Sequence, residues 1–229
     1  MKEAMTYSWW PHLSTIINYV LPARCLSCRS RNYYLCPNCR ALIPKAEPLE
    51  IVDTQAVFNY QDVRIKQAIW QLKYRGARAV AYDLAQSLYK YYSESLSAWQ
   101  PPQIPKPESY IVIPVPMTEK RKNERGFNQA QVLAKYFAGL DPANLQLQEN
   151  ILIKTRETPS QMKTRDRNTR LNNPRNAFAI SESGRNQVKN RNVILIDDVI
   201  TTGATISEAR KVLLTTGARR VFAIAVAHG

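Results

Sequence analysis

Few of the features that define fibrous, disordered or membrane-spanning chains occur in this sequence of 229 residues. Its seven glycines are too few for a fibrous or low-complexity chain, and no stretch approaches the roughly 18 consecutive apolar residues of a membrane span. Acidic residues are also scarce: 18 Asp and Glu stand against 32 Lys and Arg, which gives a net charge of +14. Because 45% of the residues are apolar, the composition predicts a soluble, globular and strongly basic protein.

The positive charge is concentrated in two segments. Residues 22–45 contain five basic residues and no acid, and residues 154–191 contain ten basic residues and three acids. A concentrated positive field attracts polyanions, although basic residues also serve general solubility. Residues 154–176 have few apolar side chains and predict a long basic loop, which we expect to contact nucleic-acid phosphates. The residues expected to make these contacts are Arg156, Lys163, Arg165, Arg167 and Arg170.

The first 24 residues lack the pattern of a secretion signal. Glu3 follows Lys2 directly, polar residues break the later apolar stretch, and no small-residue cleavage site follows. Apolar side chains recur there at the spacing of a one-faced helix. We therefore expect a short helix that packs on its own protein, in a cytoplasmic chain. Trp9 and Trp10 leave peripheral contact with a membrane surface open as an alternative.

All four cysteines fall within fifteen residues, as two C-x2-C pairs: Cys25 with Cys28, and Cys36 with Cys39. Two such pairs supply the closed set of four thiolates that is typical of structural zinc. Two disulfides are an alternative, but they do not suit a chain without a secretion signal. A redox C-x-x-C would need only one pair. We therefore predict a structural Zn²⁺ site, with the metal supplying much of the folding energy of this short segment.

The rest of the chain alternates strand and helix patterns, which predicts an α/β fold with a mostly parallel sheet flanked by helices. Pro44 and Pro48 separate the cysteine pairs from this pattern. We accordingly expect two domains: residues 1–48, with the N-terminal helix and the zinc module, and residues 49–229. Strands are expected at 56–60, 111–113, 193–196 and 221–226, and helices at about 65–73, 79–98, 128–138 and 206–216.

The most informative stretch follows the strand expected at 193–196. There the chain turns from branched apolar residues to Asp197 and Asp198, and then to Thr201-Thr202-Gly203-Ala204-Thr205 before a helix. Ligands bind at the carboxyl ends of strands in open α/β sheets, and the N–H groups at a helix N-terminus bind anions. Acids directly before such a site suit a ligand that presents hydroxyls, or a hydroxyl-bound metal, together with one phosphate. A ribose 5-phosphate has this layout.

Other phosphate-binding motifs are absent from the sequence. It contains no G-x-x-x-x-G-K-[ST] and no G-x-G-x-x-G after a strand, which argues against a site for a nucleoside triphosphate or a dinucleotide. A helix N-cap by Thr202 or Thr205 is the plain structural alternative. It accounts for the threonines but not for the paired acids at the end of a buried strand.

Residues 193–205 resemble the phosphoribosyl pyrophosphate (PRPP) signature of type I phosphoribosyltransferases. Over nearly the whole chain, the order of motifs is similar to that of the ComF family of bacterial competence proteins. The motifs that carry this resemblance are the two cysteine pairs, Leu72-Lys73-Tyr74-Arg75-Gly76, Pro114-Val115-Pro116, Arg125-Gly126-Phe127-Asn128-Gln129-Ala130 and the Asp197-Asp198 segment. The resemblance implies a type I phosphoribosyltransferase-like fold.

The resemblance also implies roles for individual residues. Asp197 and Asp198 would hold ribose hydroxyls, and Thr201 to Thr205 would bind the 5-phosphate. Mg²⁺ would arrive on the pyrophosphate of the substrate, and the loop at 154–176 would correspond to the mobile loop that covers the substrate in this fold. The pyrophosphate loop would contain Pro114, Val115, Pro116, Arg125 and Gly126.

Three functions remain open on this basis. The resemblance implies a PRPP-binding competence protein that helps to handle single-stranded DNA, with DNA-uptake proteins, in natural transformation. The alternatives are an active phosphoribosyltransferase, with a nucleobase or another acceptor, and a zinc-stabilised PRPP sensor. His12 and His228 are each isolated, and no other residue is an obvious general acid or base. PRPP binding is therefore better supported than turnover.

Overall fold

The computed structural model describes residues 23–74, 78–99, 109–155 and 177–229. The strands in these ranges are β1 (Thr54–Asn59), β2 (Tyr110–Pro114), β3 (Leu145–Leu147), β4 (Leu152–Lys154), β5 (Phe178–Ile180), β6 (Asn192–Ile200) and β7 (Arg220–His228). The helices are α1 (Pro37–Ala41), α2 (Val63–Tyr74), α3 (Arg78–Trp99), α4 (Glu119–Arg125), α5 (Gln129–Gly139), α6 (Gly184–Val188) and α7 (Ala204–Thr215).

Five strands form one parallel sheet in the order β1-β7-β6-β2-β3. Strands β2, β6 and β7 are buried along most of their length, as expected for parallel strands with helices on both faces. The predicted α/β architecture, a mostly parallel sheet flanked by helices, is confirmed.

Alternate residues of β6 enter two separate hydrophobic cores. Ile194 and Ile196 pack in a core that also contains Leu84 of α3 and Phe137 of α5. Val193 and Leu195 pack in the core on the other face, which includes residues of α7. Successive side chains of a strand point to opposite faces of the sheet, so this one strand anchors both helix layers. It thereby fixes the position of Asp197, Asp198 and the residues that follow them.

Strand β6 is longer than the sequence pattern predicts. Beyond Ile196, Asp197 pairs with Ala225 and Ile200 pairs with His228 on β7. The two acids interrupt the apolar run but not the backbone pairing between β6 and β7. The apolar pattern alone therefore predicted the end of the strand too early. Because α7 begins at Ala204, only Thr201, Thr202 and Gly203 separate the strand from the helix.

Residues 25–40, which contain the four cysteines and are called the cysteine segment below, pack directly on α3. The carboxylate of buried Asp83 accepts the backbone N–H groups of Tyr34 (2.7 Å) and Leu35 (3.0 Å). Arg40 donates to the carbonyl oxygen of Asp83 and to Oε1 of Gln86 (3.0 Å). Burial raises the pKa of Asp83, and the two N–H groups oppose this shift. Leu35 lies in the same hydrophobic core as residues of α2 and α3. The division into two domains at residue 48 stays a prediction.

Strands β4 and β5 form an antiparallel pair at the two ends of the basic loop. Lys154 pairs with Phe178, and Thr155 N–H donates to the carbonyl of Ala177 (2.9 Å). Residues 156–176 of the loop lie outside the described residues, as does the N-terminal helix predicted within residues 1–22. No helix in the part of the chain that the structure describes combines the length and apolarity needed to cross a membrane.

Candidate functional site

The two acids stand at the carboxyl end of the central strand β6. Asp197 and Asp198 are partly exposed, and each carboxylate accepts the N–H of the next residue, at 2.8 Å from Asp198 and 2.9 Å from Val199. Burial, and then the charge of Asp198, raise the pKa of Asp197 to about 8. The raised pKa favours the protonated form of Asp197 in the ligand-free protein.

Lys73, at the end of α2, forms an ion pair with Asp198. Its Nζ lies 2.9 Å from Oδ2 of Asp198, and both side chains are largely buried. Burial lowers the pKa of Lys73, but the charge of Asp198 and their hydrogen bond outweigh it, so the pKa lies above its ordinary value. Lys73 is therefore a cation held at the acid pair. The sequence analysis did not include Lys73 among the site residues. The signal that could have indicated it was its place in the Leu72-to-Gly76 motif at the end of a helix.

The segment after the acids forms the N-terminus of α7. Thr201 and Thr202 are exposed, and Gly203 is the residue before the first turn, with a φ of 72° in the left-handed region. The first N–H groups of a helix have no intrahelical acceptor and carry the positive end of the helix dipole. A Cβ atom on Gly203 would clash with Cδ1 of Ile51, the far end of a flexible side chain that would have to move. Glycine is thus favoured here chiefly by its positive φ.

The loop after β2 lies beside the end of β6. Val115 N–H donates to the carbonyl of Ile196 at 2.9 Å, and Nδ2 of Asn128 donates to the carbonyl of Val115 at 3.0 Å. Thr118 caps α4, and Gly126 ends it with a φ of 79°. The predicted pyrophosphate loop is therefore fixed at the same sheet edge as Asp197 and Asp198.

Arg125 extends from α4 toward the end of α2. Its Nη1 donates to Oε1 of Gln129 (3.1 Å), and its guanidinium carbon lies 5.8 Å from the ring centre of Tyr74. The charge of Arg125 also lowers the pKa of Lys73, which places the two cations within electrostatic reach of each other. The carboxyl edge of the sheet thus combines an acid pair, two cations and a helix N-terminus.

The residues predicted at the ligand site and in the basic loop fall into two groups. The structure brings the residues of the acid pair, the threonine segment and the loop after β2 to one edge of the sheet. The residues predicted in the basic loop lie outside the described residues: Arg156, Lys163, Arg165, Arg167 and Arg170.

The thiol groups of the four cysteines form one cluster. Their Sγ atoms all lie within 4.8 Å of one another, and those of Cys28 and Cys36 are 3.6 Å apart. Four thiolates at about 2.3 Å from one tetrahedral zinc ion would stand about 3.8 Å apart. None of the four forms a disulfide. The cluster therefore fits a zinc module.

The local structure explains how the sequence brings the thiols together. Cys36 is the residue before the first turn of α1, which begins with Pro37, and the carbonyl of Cys25 accepts the N–H of Arg29 in the turn that contains Cys28. A hydrogen bond with Ser30, followed by those with other thiols, lowers the pKa of Cys28 to about 6. A hydrogen bond with Ser27 lowers the pKa of Cys39, but burial and the neighbouring thiols outweigh it and raise the pKa to about 11.

Comparison with known proteins identifies the family. The phosphoribosyl transferase domain model matches residues 75–229. Competence protein F of Haemophilus influenzae is 30% identical over 200 residues, which cover 86% of this chain and 81% of that protein. The chain belongs to the ComF family of phosphoribosyltransferase-domain proteins.

Two further relatives extend the ComF assignment. Competence protein ComFC of Bacillus subtilis is 26% identical over 221 residues, which cover 94% of this chain and 80% of that protein. DNA utilization protein YhgH of Escherichia coli K12 is 32% identical over 110 residues, or 48% of this chain and 45% of that protein. The resemblance to the ComF family and the predicted type I phosphoribosyltransferase fold are confirmed.

Proposed function

We propose that this ComF-family chain binds PRPP at the carboxyl edge of its sheet. Asp197 and Asp198 hold the ribose hydroxyls, and the segment from Thr201 to Thr205 holds the 5-phosphate. The single observation that carries the proposal is the three-residue connection from β6 to α7, which places the acidic side chains at the end of β6 next to the first N–H groups of α7, within reach of one small ligand.

The loop after β2 receives the pyrophosphate in this proposal. Pro114 ends the neighbouring strand β2, Val115 and Pro116 follow it, and Arg125 and Gly126 end α4 beside it. Arg125 is suited to this role because a guanidinium can donate two parallel hydrogen bonds to a phosphoryl group. The Lys73 cation balances the negative charge of Asp198 when the anionic ligand approaches.

Two metals fit the residues present. Mg²⁺ would be held by the oxygens of the pyrophosphate and by a carboxylate of the acid pair, and would neutralise part of the charge of the ligand. Zn²⁺ would be held by the thiolates of Cys25, Cys28, Cys36 and Cys39, where it would cross-link the cysteine segment.

The wider role we propose is the handling of single-stranded DNA during natural transformation, on the cytoplasmic side and together with DNA-uptake proteins. The names of the relatives support this role, because they are competence and DNA utilization proteins. The net charge of +14 supports it as well. Arg156, Lys163, Arg165, Arg167 and Arg170 of the basic loop are the proposed nucleic-acid contacts.

Calorimetric titration of the protein with PRPP in the presence of Mg²⁺ tests the binding proposal. We expect saturable heat with the unchanged chain and at least about tenfold weaker binding after Asp198→Asn, because a hydrogen bond to a charged group is lost. Glu149→Gln is the matched control, since Glu149 is an exposed acid in the β3–β4 connection. No heat with the unchanged chain would overturn the proposal.

An active phosphoribosyltransferase is the second candidate, favoured by the domain match over residues 75–229. It predicts release of pyrophosphate from PRPP in the presence of a suitable nucleobase or other acceptor, with turnover abolished by Asp197→Asn. A screen of acceptors for pyrophosphate release distinguishes the two. Saturable PRPP binding without release of pyrophosphate from any acceptor would favour the binding protein.

Gel mobility-shift titrations with single-stranded DNA, with and without Mg²⁺ and PRPP, test the wider role. We expect a shifted band whose affinity falls steeply with salt. Thermal stabilisation by PRPP without any DNA binding would instead indicate a PRPP sensor.

A further inference from the structure

Helix α2 presents an exposed apolar stripe on the side opposite its buried face. Val63, Trp70 and Tyr74 are 62%, 50% and 62% exposed, and their spacing of seven and four residues places them along one side of the helix. The buried face consists of Ile65, Ala68, Ile69 and Leu72. Exposed aromatic side chains grouped in this way mark an interaction surface rather than a core.

The two aromatic rings form a platform that continues to the candidate ligand site. The ring centres of Trp70 and Tyr74 are 5.8 Å apart, with 44° between the ring planes. The guanidinium of Arg125 lies 5.8 Å from the ring centre of Tyr74, and Lys73 between the rings in sequence pairs with Asp198. We call Trp70 and Tyr74 the aromatic platform. Because Arg125 belongs to the proposed pyrophosphate loop and lies beside the ring of Tyr74, the platform is next to that loop.

The charge around the platform is positive. Helix α2 carries three basic residues and no acidic one. On α4, Arg121 and Arg125 lie four residues apart and so share one side of that helix. Acids balance part of this charge, because Asp62 pairs with Arg64 at 2.6 Å, Asp198 pairs with Lys73, and α4 carries Glu119 and Glu124 beside its four basic residues; the net charge of these groups is still positive. Rings flanked by cations suit a ligand with flat bases and a negative backbone.

We propose that the aromatic platform is a base-stacking site for single-stranded nucleic acid, with Trp70 stacking a base and Arg121 contacting the adjacent phosphate. The proposal deepens the proposed DNA-handling function and rests on it. Stacking on an aromatic side chain tolerates any base, because every base has a π-face. A protein partner is disfavoured because the basic residues of α2 and α4 border the exposed rings.

Fluorescence anisotropy with two labelled oligonucleotides tests the platform. One is a thymidine strand of about 15 nucleotides, and the other has the same length with abasic sites throughout. We expect Trp70→Ala to weaken binding of the thymidine strand about tenfold, at an unchanged salt slope, and to leave the abasic strand unaffected. Trp70→Phe, which keeps an aromatic face, should bind within about threefold of the unchanged protein.

Tyr82→Ala is the control variant, because Tyr82 is also an exposed aromatic residue (42%) but packs edge-on against Tyr136 and belongs to α3. It should leave both affinities unchanged. Equal losses on the two strands after Trp70→Ala, or none, would overturn the platform and leave the stripe to a protein partner. Failure of the unchanged protein to bind either strand overturns both this proposal and the DNA-handling role. PRPP calorimetry on the same protein is independent of that result.

Discussion

Lys73 and Asp198 join the end of α2 to the end of β6 through an ion pair of 2.9 Å. Only 21% of the Lys73 side chain and 15% of the Asp198 side chain are exposed. Removing the cation leaves a carboxylate largely buried beside Asp197, and such an unpaired charge is costly. We expect Lys73→Met to lower the free energy of unfolding by about 2 kcal/mol, measured by urea denaturation.

The exposed pair Lys90–Glu94 on α3 provides the control. Its atoms are 3.8 Å apart, and the two side chains are 78% and 60% exposed. Lys90→Met should therefore cost less than about 0.5 kcal/mol. The double variant of Lys73→Met with Asp198→Asn should lose less than the sum of the single variants. Equal costs at Lys73 and Lys90 would contradict a structural role for the buried pair.

The raised pKa of Asp197 predicts a stability that falls with pH. In the folded protein its carboxyl group keeps a proton up to a pKa of about 8, whereas the unfolded chain loses that proton near the ordinary value of 3.8. Between these values the folded state binds more protons than the unfolded state, so the free energy of unfolding decreases as pH rises. The substitution Asp197→Asn removes this pH-dependent contribution to the free energy of unfolding. We expect the melting temperature of the variant, relative to the unchanged chain, to be several degrees higher at pH 8.5 than at pH 5.5.

Asp62→Asn is the matched control for this pH dependence. A side-chain hydrogen bond from Arg64 lowers the pKa of Asp62, so its stabilising contribution is complete above the ordinary pKa and is lost only in acid. Its difference in melting temperature from the unchanged chain should therefore stay constant between pH 5.5 and pH 8.5. The same constant difference for Asp197→Asn would show that Asp197 does not hold its proton in the folded state.

The sequence predicted the central strands and helices of the fold and the strand-to-helix connection after Asp198, because both depend on local patterns. The buried positions of α2, Ile65, Ala68, Ile69 and Leu72, recur at helical spacing, and branched apolar residues define the first half of β6. Strands β3, β4 and β5 have three residues each. Such strands are too short for any periodicity to reveal, and they depend on their partners for stability.

The pairing of Lys73 with Asp198 could not be predicted in the same way. The two residues are separated by most of the α/β domain, and only the folded sheet brings α2 to the end of β6. The pairing of Asp83 with the backbone of Tyr34 and Leu35 has the same origin. Hydrophobic patterns specify which faces are buried, but they do not specify which polar groups meet across the sheet edge.

Gly203 provides a test of the strand-to-helix connection. Its φ of 72° and the proximity of Ile51 both oppose a Cβ atom, so we expect Gly203→Ala to cost about 1–2 kcal/mol. Displacement of the first turn of α7 should also weaken PRPP binding. Urea denaturation and calorimetry measure the two effects separately.

Gly139→Ala is the companion variant, because no atom lies within 4 Å of the Cβ position at Gly139 and its backbone lies within α5. It should be neutral or stabilising by up to about 1 kcal/mol, with PRPP binding unchanged. Similar losses at both glycines would mean that the connection has no special conformational demand.

The thiol cluster predicts one zinc ion per chain. The Sγ atoms within 4.8 Å of one another fit a tetrahedral site of four thiolates, so Cys39→Ser should abolish stoichiometric zinc and lower the melting temperature. Metal analysis and the charge-transfer absorption of a Co²⁺-substituted sample provide the measurements. Ser30→Ala should keep the metal, because Ser30 accepts a hydrogen bond from the Cys28 thiol but supplies no thiolate itself. Full zinc content after Cys39→Ser would exclude the four-thiolate site.

The salt dependence of DNA binding tests the proposed nucleic-acid contacts of the basic loop. Each phosphate contact on a single strand contributes about 0.7 to the slope of log affinity against log salt, because a counterion is released. We expect the triple variant Arg165→Ala, Arg167→Ala and Arg170→Ala to reduce this slope by about 2. A triple variant of equal charge, with Ala at Lys90, Lys135 and Lys211, removes exposed lysines from α3, α5 and α7 instead. If both variants reduced the slope equally, the effect would come from total charge, and the loop would have no specific role in contacting phosphates.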